Sequence, residues 1–137
     1  MREILFHGKR ADNGEWVEGD LLQIKYYNKP IIECKIMPQT PVSSAYPVLP
    51  ETVGQYTGLT DRNGVKMIFE GDICRFKRFN DIHVGEIVFN VTTASFVIRY
   101  QSIVGVCGEK ATHKMLLSVC DDIEVIGNIH DNPELME

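Results

Sequence analysis

The sequence predicts a mainly β protein, a small and strongly bent barrel or sandwich built from hairpins. The first observation is the alternation in SFVIRY (95–100), where Phe96, Ile98 and Tyr100 point to one side with the two-residue period of a half-buried strand. The second is the close spacing of such segments, since only NVTTA separates this strand from the one before it. Short strands joined by tight turns favour a curved sheet over a flat one.

Three further segments are predicted as strands. DICRFKRF (72–79) places Cys74 and Phe76 on one side, and HVGEIVF (83–89) is rich in β-branched and aromatic residues. IEVIGNI (123–129) follows near the end of the chain. Together with SFVIRY, these segments form the predicted β core.

Other segments depart from the β pattern. In residues 109–120 apolar residues recur at helical spacing, which predicts a short helix near the C-terminal third, and NPELM (132–136) predicts a capped final turn. Five of the six prolines fall between Pro30 and Pro50, and proline removes a donor from a strand ladder. We therefore expect residues 38–50 to form a loop or an arm that covers a sheet edge.

Length and composition fit one soluble domain. The chain has 137 residues, of which 44% are hydrophobic and 24% charged. We expect N-terminal hairpins and the proline-rich arm in residues 1–57 and a barrel-like part in residues 58–137. No apolar run approaches the roughly 18 residues that cross a bilayer, and the N-terminus lacks the apolar core of a secretion signal. These features predict a cytoplasmic protein with no membrane partner.

Charge is distributed unevenly along the chain. The net charge of −5 argues against a surface that attracts nucleic acid everywhere. Residues 121–137 nevertheless hold six acids and no Lys or Arg. An acidic end of this kind attracts a basic strand, either within one chain or between two chains.

The basic strand is the candidate binding surface. Arg75, Lys77, Arg78 and Phe79 lie close together in CRFKRF. Aromatic rings that stack bases beside cations that pair phosphates are typical of small barrels that hold single-stranded nucleic acid, and the same residues can serve a protein partner. In the alternative interpretation, Phe76 and Phe79 belong to the core, and the cations form a solvated or subunit-paired edge that faces the acidic end.

The sequence predicts no catalytic residue, no metal site and no cofactor. It contains no Ser/His/Asp constellation, Walker loop or HExxH helix. The four histidines lack ligand spacing, and the four cysteines are widely spaced without a CxxC pair, which favours reduced thiols over a disulfide framework or a zinc ribbon. A hydrolase that uses Glu70 and Asp72 with a divalent cation is an alternative, although Glu-Gly-Asp is also typical of a polar turn before a strand.

One motif occurs twice. ADNGEWVEGDLL (11–22) and TDRNGVKMIFEGDIC (60–74) each place Asn-Gly before apolar residues and then Glu-Gly-Asp. Asn-Gly suits a two-residue hairpin turn, and the later glycine lets the chain reverse or bulge before the next strand. We interpret the repeat as a twice-used hairpin and corner with a structural role. Its residues are Gly19, Asp20, Asn63, Gly64, Glu70, Gly71 and Asp72.

Three blocks of the chain together resemble a known family. The longest block, residues 51–76, contains QYTGL, an Asn-Gly pair and FEGDI, and the other two are MREILFHGKR at the start and EVIGNIHDNPELM at the end. In these blocks the chain resembles the YopX-like family of small proteins encoded by bacteriophages and prophages, although His130 replaces the tyrosine that usually follows Gly-Asn-Ile. The resemblance implies a β-rich fold, a phage or prophage origin and self-association, and it implies no catalytic residues.

These observations lead to two functional hypotheses. The first is a non-enzymatic phage or prophage accessory protein in the cytoplasm of the host bacterial cell. It would form a homo-oligomer and bind an unknown phage or host protein through exposed loops. The alternative is a single-stranded nucleic-acid-binding module that uses the basic strand.

Overall fold

The computed structural model describes residues 2–30, 32–39 and 44–136, and it divides into two compact units, Met1–Gly58 and Leu59–Glu137. Regular structure in the described residues is almost entirely β-strand, and all the strand pairs are antiparallel. The prediction of a mainly β protein is therefore confirmed. Among these residues, no helix is long and apolar enough to cross a membrane.

The first unit is an antiparallel sheet. Its strands, which follow one another in the order β4-β3-β2-β1-β5, are β1 (Phe6–Lys9), β2 (Trp16–Lys25), β3 (Ile32–Met37), β4 (Tyr46–Val48) and most of β5 (Gly54–Thr60). Cys34, Ile36 and Val48 form its buried core. These three residues lie on neighbouring strands, since Cys34 pairs with Val48 across β3 and β4.

The predicted proline-rich arm is only partly a loop. Pro47 lies in the short edge strand β4, where β3 is the neighbour on one side. An edge strand tolerates proline because the missing N–H can face away from the ladder. Pro50 begins a 3-10 turn, Pro50–Thr52, and residues 40–43 of the predicted arm lie outside the described residues.

The second unit contains a five-stranded sheet. After the end of β5 come β6 (Met67–Phe69), β7 (Asp72–Arg78), β8 (Asp81–Asn90), β9 (Ser95–Val104), β10 (Glu109–Leu116) and β11 (Asp121–Asn128), followed by a final 3-10 turn (Pro133–Met136). The sheet has the order β10-β9-β8-β7-β11. Each predicted strand of this region and the predicted final turn are present.

The core of the second unit follows from strand alternation. Cys74, Phe76, Ile87, Ile98 and Tyr100 point to the same side of β7, β8 and β9 and pack together. Each of these side chains is at most 7% exposed. Burial of large side chains of this kind contributes about 1.5–3 kcal/mol each, so this cluster is the main source of stability in the unit.

The helix predicted for residues 109–120 is wrong. Glu109–Leu116 form strand β10, and a 3-10 turn follows at Leu117–Val119. Alternate residues of β10 are half-buried and exposed, which is the two-residue period of a strand. The apolar residues that suggested a helix are four positions apart, and a spacing of four fits both periods.

The predicted barrel does not close among the described strands, because β10 and β11 lie at the two ends of the five-stranded sheet. Antiparallel sheets with two free edges expose unpaired backbone groups on the outer strands. The sandwich arrangement stays a prediction.

Candidate functional site

The predicted basic strand is β7, and its side chains alternate between core and surface. Cys74 and Phe76 are 0% and 1% exposed, whereas Arg75 and Lys77 are exposed on the opposite side. The Phe76 ring lies 5.1 Å from the ring of Tyr100, in an edge-to-face arrangement. Because a buried ring cannot stack on a base, Phe76 belongs to the core, as the alternative interpretation predicted.

The outward cations of β7 are paired with acids of β11. Nη2 of Arg75 lies 2.7 Å from Oε2 of Glu124, and Nζ of Lys77 lies 3.7 Å from Oδ2 of Asp122. Arg62 reaches the same Glu124 oxygen at 3.7 Å. The hydrogen bond from Arg75 lowers the pKa of Glu124, because it favours the charged carboxylate. The acidic end therefore partly neutralises the basic strand within one chain.

Phe79 differs from Phe76 in its surroundings. It lies between β7 and β8, has a φ of 55° and is 84% exposed. Positive φ is uncommon for a bulky residue, and here it belongs to the tight turn that directs the ring outward. The guanidinium carbon of Arg78 lies 4.7 Å from the ring centroid, a cation–π contact. The interpretation of Phe79 as a core residue is therefore wrong.

Phe79 is one of several exposed apolar residues at one end of the second sheet. Because β7 to β10 form an antiparallel meander, the β7–β8 and β9–β10 hairpins lie at the same end. Ile82 is 62% exposed, Ile103 72% and Val106 103%. We name Phe79, Ile82, Ile103 and Val106 the apolar end. Exposed apolar residues that gather at one end of a sheet are candidates for an interaction surface.

The sequence analysis identified only Phe79 of the apolar end. Ile103 and Val106 lie just before residues 109–120, and the wrong helix prediction there left the β9–β10 hairpin unpredicted. A signal was present, since the turn around Gly105 and Gly108 carries valine and cysteine where polar residues are usual. Apolar residues at a hairpin tip therefore indicate an interaction surface as directly as a basic strand does.

An open cavity of about 280 Å³ adjoins the apolar end. Residues of β8, β9, β10 and the final turn line it, among them Ile82, Ile103, Lys110 and Leu135. The two isoleucines thus belong both to the cavity and to the apolar end. The cavity gives this surface a concave side, and its lining also includes the polar side chains of His83, Gln101 and Ser102.

The second Glu-Gly-Asp forms the turn between β6 and β7. Gly71 has a φ of +93°, and its N–H donates to the carbonyl oxygen of Ile87 at 2.8 Å. Asp72 is 7% exposed, and its Oδ2 accepts a hydrogen bond from the backbone N–H of Phe69 at 2.8 Å. Since this carboxylate closes the turn, the geometry supports a structural role for it rather than acid–base chemistry. Glu70 precedes the glycine in the same turn.

The first Glu-Gly-Asp is not a corner. Gly19 and Asp20 lie inside the continuous strand β2, so the reversal or bulge predicted at Gly19 is wrong. A Cβ at Gly19 would contact the backbone of Met37 and Pro38, which explains the glycine by lack of space. Asp20 is exposed and accepts a hydrogen bond from Nε2 of Gln39 at 3.1 Å.

Asn63 and Gly64 lie in the loop between β5 and β6. The N–H of Asp61 donates to the carbonyl oxygen of Lys66 at 2.8 Å, and four residues separate this closing pair instead of the predicted two. Oδ1 of the buried Asp61 is 3.2 Å from the N–H nitrogens of Asn63 and Val65 and 3.3 Å from that of Lys66. A single carboxylate therefore organises this loop.

One histidine and two cysteines of the second unit have surroundings that bear on catalytic and metal chemistry. Nε2 of His113 is within hydrogen-bond distance of Oγ of Ser102, at 2.7 Å. Burial raises the pKa of Cys74 and raises that of Cys120 to about 11, so neither thiol is an activated nucleophile at neutral pH. Among the described residues, no three His, Cys, Asp or Glu side chains are grouped so that they could hold a metal ion.

Comparison with known proteins supplies the family and no activity. A search of curated proteins finds no match to this chain. The match to a family model is nearly full length and includes both copies of Glu-Gly-Asp, the basic strand and the apolar end. The model, described as YopX protein, covers residues 5–137, and the chain therefore belongs to the YopX family.

Proposed function

We propose that this chain is a non-enzymatic phage or prophage accessory protein of the host bacterial cytoplasm that self-associates and binds a partner protein. The observation that supports self-association is the apolar end, where Phe79 and Val106 are almost fully exposed at the tips of two neighbouring hairpins. Exposed aromatic rings and valines at a hairpin tip lower the solubility of a protein unless another surface covers them.

A second copy is the occupant that fits the apolar end. An apolar surface is complementary to itself, so two copies can bring the same patch together about a two-fold axis. A charged patch cannot do this, because like charges would face each other. The cavity beside Ile82 and Ile103 adds a recess to the same surface, which favours a specific contact over a loose one.

Sedimentation velocity over a range of concentrations tests this proposal. The native protein is expected to self-associate, whereas Phe79→Ser/Val106→Ser is expected to remain a monomer with an unchanged circular dichroism spectrum. The matched control is Val65→Ser/Val91→Ser, which replaces two valines that are 79% and 82% exposed in other loops of the same unit. A native protein that is monomeric at every concentration would contradict the proposal.

Single-stranded nucleic-acid binding is the alternative function. Phe79 with Arg78 against its ring supports it, because an exposed ring beside a cation can stack on a base. The pairing of Arg75 and Lys77 with β11 weighs against it, because a phosphate would have to compete with carboxylates already in place. Affinity for a single-stranded oligonucleotide that falls steeply with salt, and that Phe79→Ser reduces, would favour this function.

A further inference from the structure

The outer edge of the second sheet combines a free backbone with alternating side chains. Strand β10 is terminal in its sheet, so no described strand pairs with its outer side. Lys110, Thr112 and Lys114 are exposed on one side of the strand, and Ala111, His113 and Met115 are half-buried on the other. Met115 packs against the core of the unit. An edge of this length is a template for an additional strand.

The lysines of β10 carry positive charge that the described part of the chain does not neutralise. Lys114 lies opposite Arg99 of β9, and the Arg99 guanidinium is already paired with Glu86 at 2.8 Å. Among the described residues, no carboxylate lies within ion-pair distance of Lys110 or Lys114. Glu109, the acid of this strand, precedes Lys110 but forms no ion pair with it, so the carboxylates of a partner would displace no ion pair at either lysine.

The opposite edge of the same sheet shows what kind of strand fits such a surface. There β11 pairs with β7 through an irregularity between Asp121 and Glu124, and the acids Asp122 and Glu124 meet the cations of that strand. The intervening Ile123 is 9% exposed in the core, and Val125 packs against it. A strand that alternates acidic and apolar residues thus satisfies a basic outer side and an apolar core side at once.

We propose that β10 binds an extended segment of a partner protein in which acidic and apolar residues alternate. The segment adds a strand by backbone hydrogen bonds, its carboxylates face Lys110 and Lys114, and its apolar side chains lie beside Met115. Lysines on an edge strand oppose pairing with neutral or basic strands, so the same residues provide selectivity. This inference rests on the proposed partner-binding function. Its surface is the outer edge of β10, which meets the cavity beside the apolar end at Lys110.

Fluorescence anisotropy with a short labelled peptide in which glutamate and valine alternate tests this inference on the full chain. Lys110→Glu/Lys114→Glu is expected to lower the affinity at least about tenfold, because it replaces attraction by repulsion. Lys25→Glu/Lys29→Glu makes the same change of net charge in the first unit and is expected to leave the affinity unchanged. A peptide that alternates lysine and valine is expected to bind at least about tenfold more weakly than the glutamate peptide.

Backbone pairing has its own test. The glutamate–valine peptide with methylated backbone nitrogens keeps its charges but cannot donate to an edge strand, so its binding is expected to be lost. Equal binding of the methylated peptide, or equal loss in the control variant, would overturn the inference. A third outcome would also overturn the inference: the native protein does not bind the peptide, and Lys110→Glu/Lys114→Glu converts it to a monomer. A second copy of the chain would then occupy the edge of β10.

The two proposals fail separately in these experiments. Phe79→Ser/Val106→Ser is expected to abolish self-association and to leave peptide affinity unchanged, because neither residue belongs to β10. Loss of peptide binding in that variant would overturn the assignment of the peptide to β10. If the native protein is a monomer and still binds the peptide, the inference about β10 stands and the proposed self-association is wrong.

Discussion

The two copies of the repeated motif share a loop and then diverge. In the first copy the N–H of Arg10 donates to the carbonyl oxygen of Glu15, and in the second the N–H of Asp61 donates to that of Lys66, both at 2.8 Å. The first copy then continues through Glu-Gly-Asp as the strand β2, whereas the second turns at Gly71 before β7. The same three residues therefore occupy the interior of a strand in one place and a turn in the other.

The two glycines are required for different physical reasons. At Gly19 a Cβ would contact the backbone of Met37 and Pro38, so the position lacks space. At Gly71 the nearest atoms to a Cβ are 3.9 Å away, but φ is +93°, so the position requires an unusual conformation. A short motif therefore does not determine its own conformation, and the neighbouring segments decide why glycine is required in it.

Substitution of the two glycines is expected to cause the largest losses of stability. Gly19→Ala is expected to destabilise the first unit by about 3 kcal/mol, because the new methyl group meets backbone atoms that cannot rotate away. Gly71→Ala is expected to cost about 1–2 kcal/mol, the usual penalty for an L residue at positive φ. Denaturant unfolding followed by Trp16 fluorescence reports on the first unit, and amide exchange reports on the second.

Asparagine separates the two causes further. Gly71→Asn is expected to be milder than Gly71→Ala, because asparagine tolerates positive φ, whereas Gly19→Asn is expected to be worse than Gly19→Ala. Gly71→Val is expected to damage folding of the second unit more than either. Equal stability of Gly71→Val and the native protein would show that the turn does not depend on this glycine.

The aspartates of the two copies give an intermediate effect. Asp72→Ala is expected to destabilise the second unit by about 1–2 kcal/mol, because it leaves the buried N–H of Phe69 without this acceptor. Asp20→Ala is the matched control in the first copy and is expected to have almost no effect, since Asp20 is exposed. Amide exchange at Phe69 measures the local change. Similar losses in both variants would contradict the structural difference between the copies.

Most strands were predictable because the alternation of buried and exposed side chains along a strand is visible in a short stretch of sequence. The alternation in β7 and β9 reflects which residues face the core, and sequence shows this directly. The reason why glycine is required at position 19 was not predictable, because it depends on the backbone of Met37, a residue that is distant in sequence. One local signal does distinguish the two copies. Three residues separate Gly14 from Glu18, whereas five separate Gly64 from Glu70, so the copies differ in length.

The candidate surface on β7 was only partly predictable, because its ion pairs also depend on residues that are distant in sequence. Arg75 and Lys77 were identified from composition, but their pairing with Glu124 and Asp122 depends on the position of β11 beside β7. A group of charged residues in the sequence therefore does not show whether their side chains are ion-paired until the neighbouring strand is known. The unpaired lysines of β10 carried less weight in sequence because they are isolated from each other by three residues.

The smallest expected effect concerns the loop of the first copy, which an exposed pair stabilises instead of a buried carboxylate. Nη2 of Arg10 donates to Oδ2 of Asp12 at 2.7 Å, and this hydrogen bond lowers the Asp12 pKa below its ordinary value of 3.8. A carboxylate with a lowered native pKa contributes stability above its unfolded pKa, and the contribution is lost as pH falls through the native value. Asp12→Asn is therefore expected to lower stability slightly at neutral pH and not at all in strong acid. A carboxyl NMR titration of Asp12 with a midpoint at or above 3.8 would show that the pair does not form in solution.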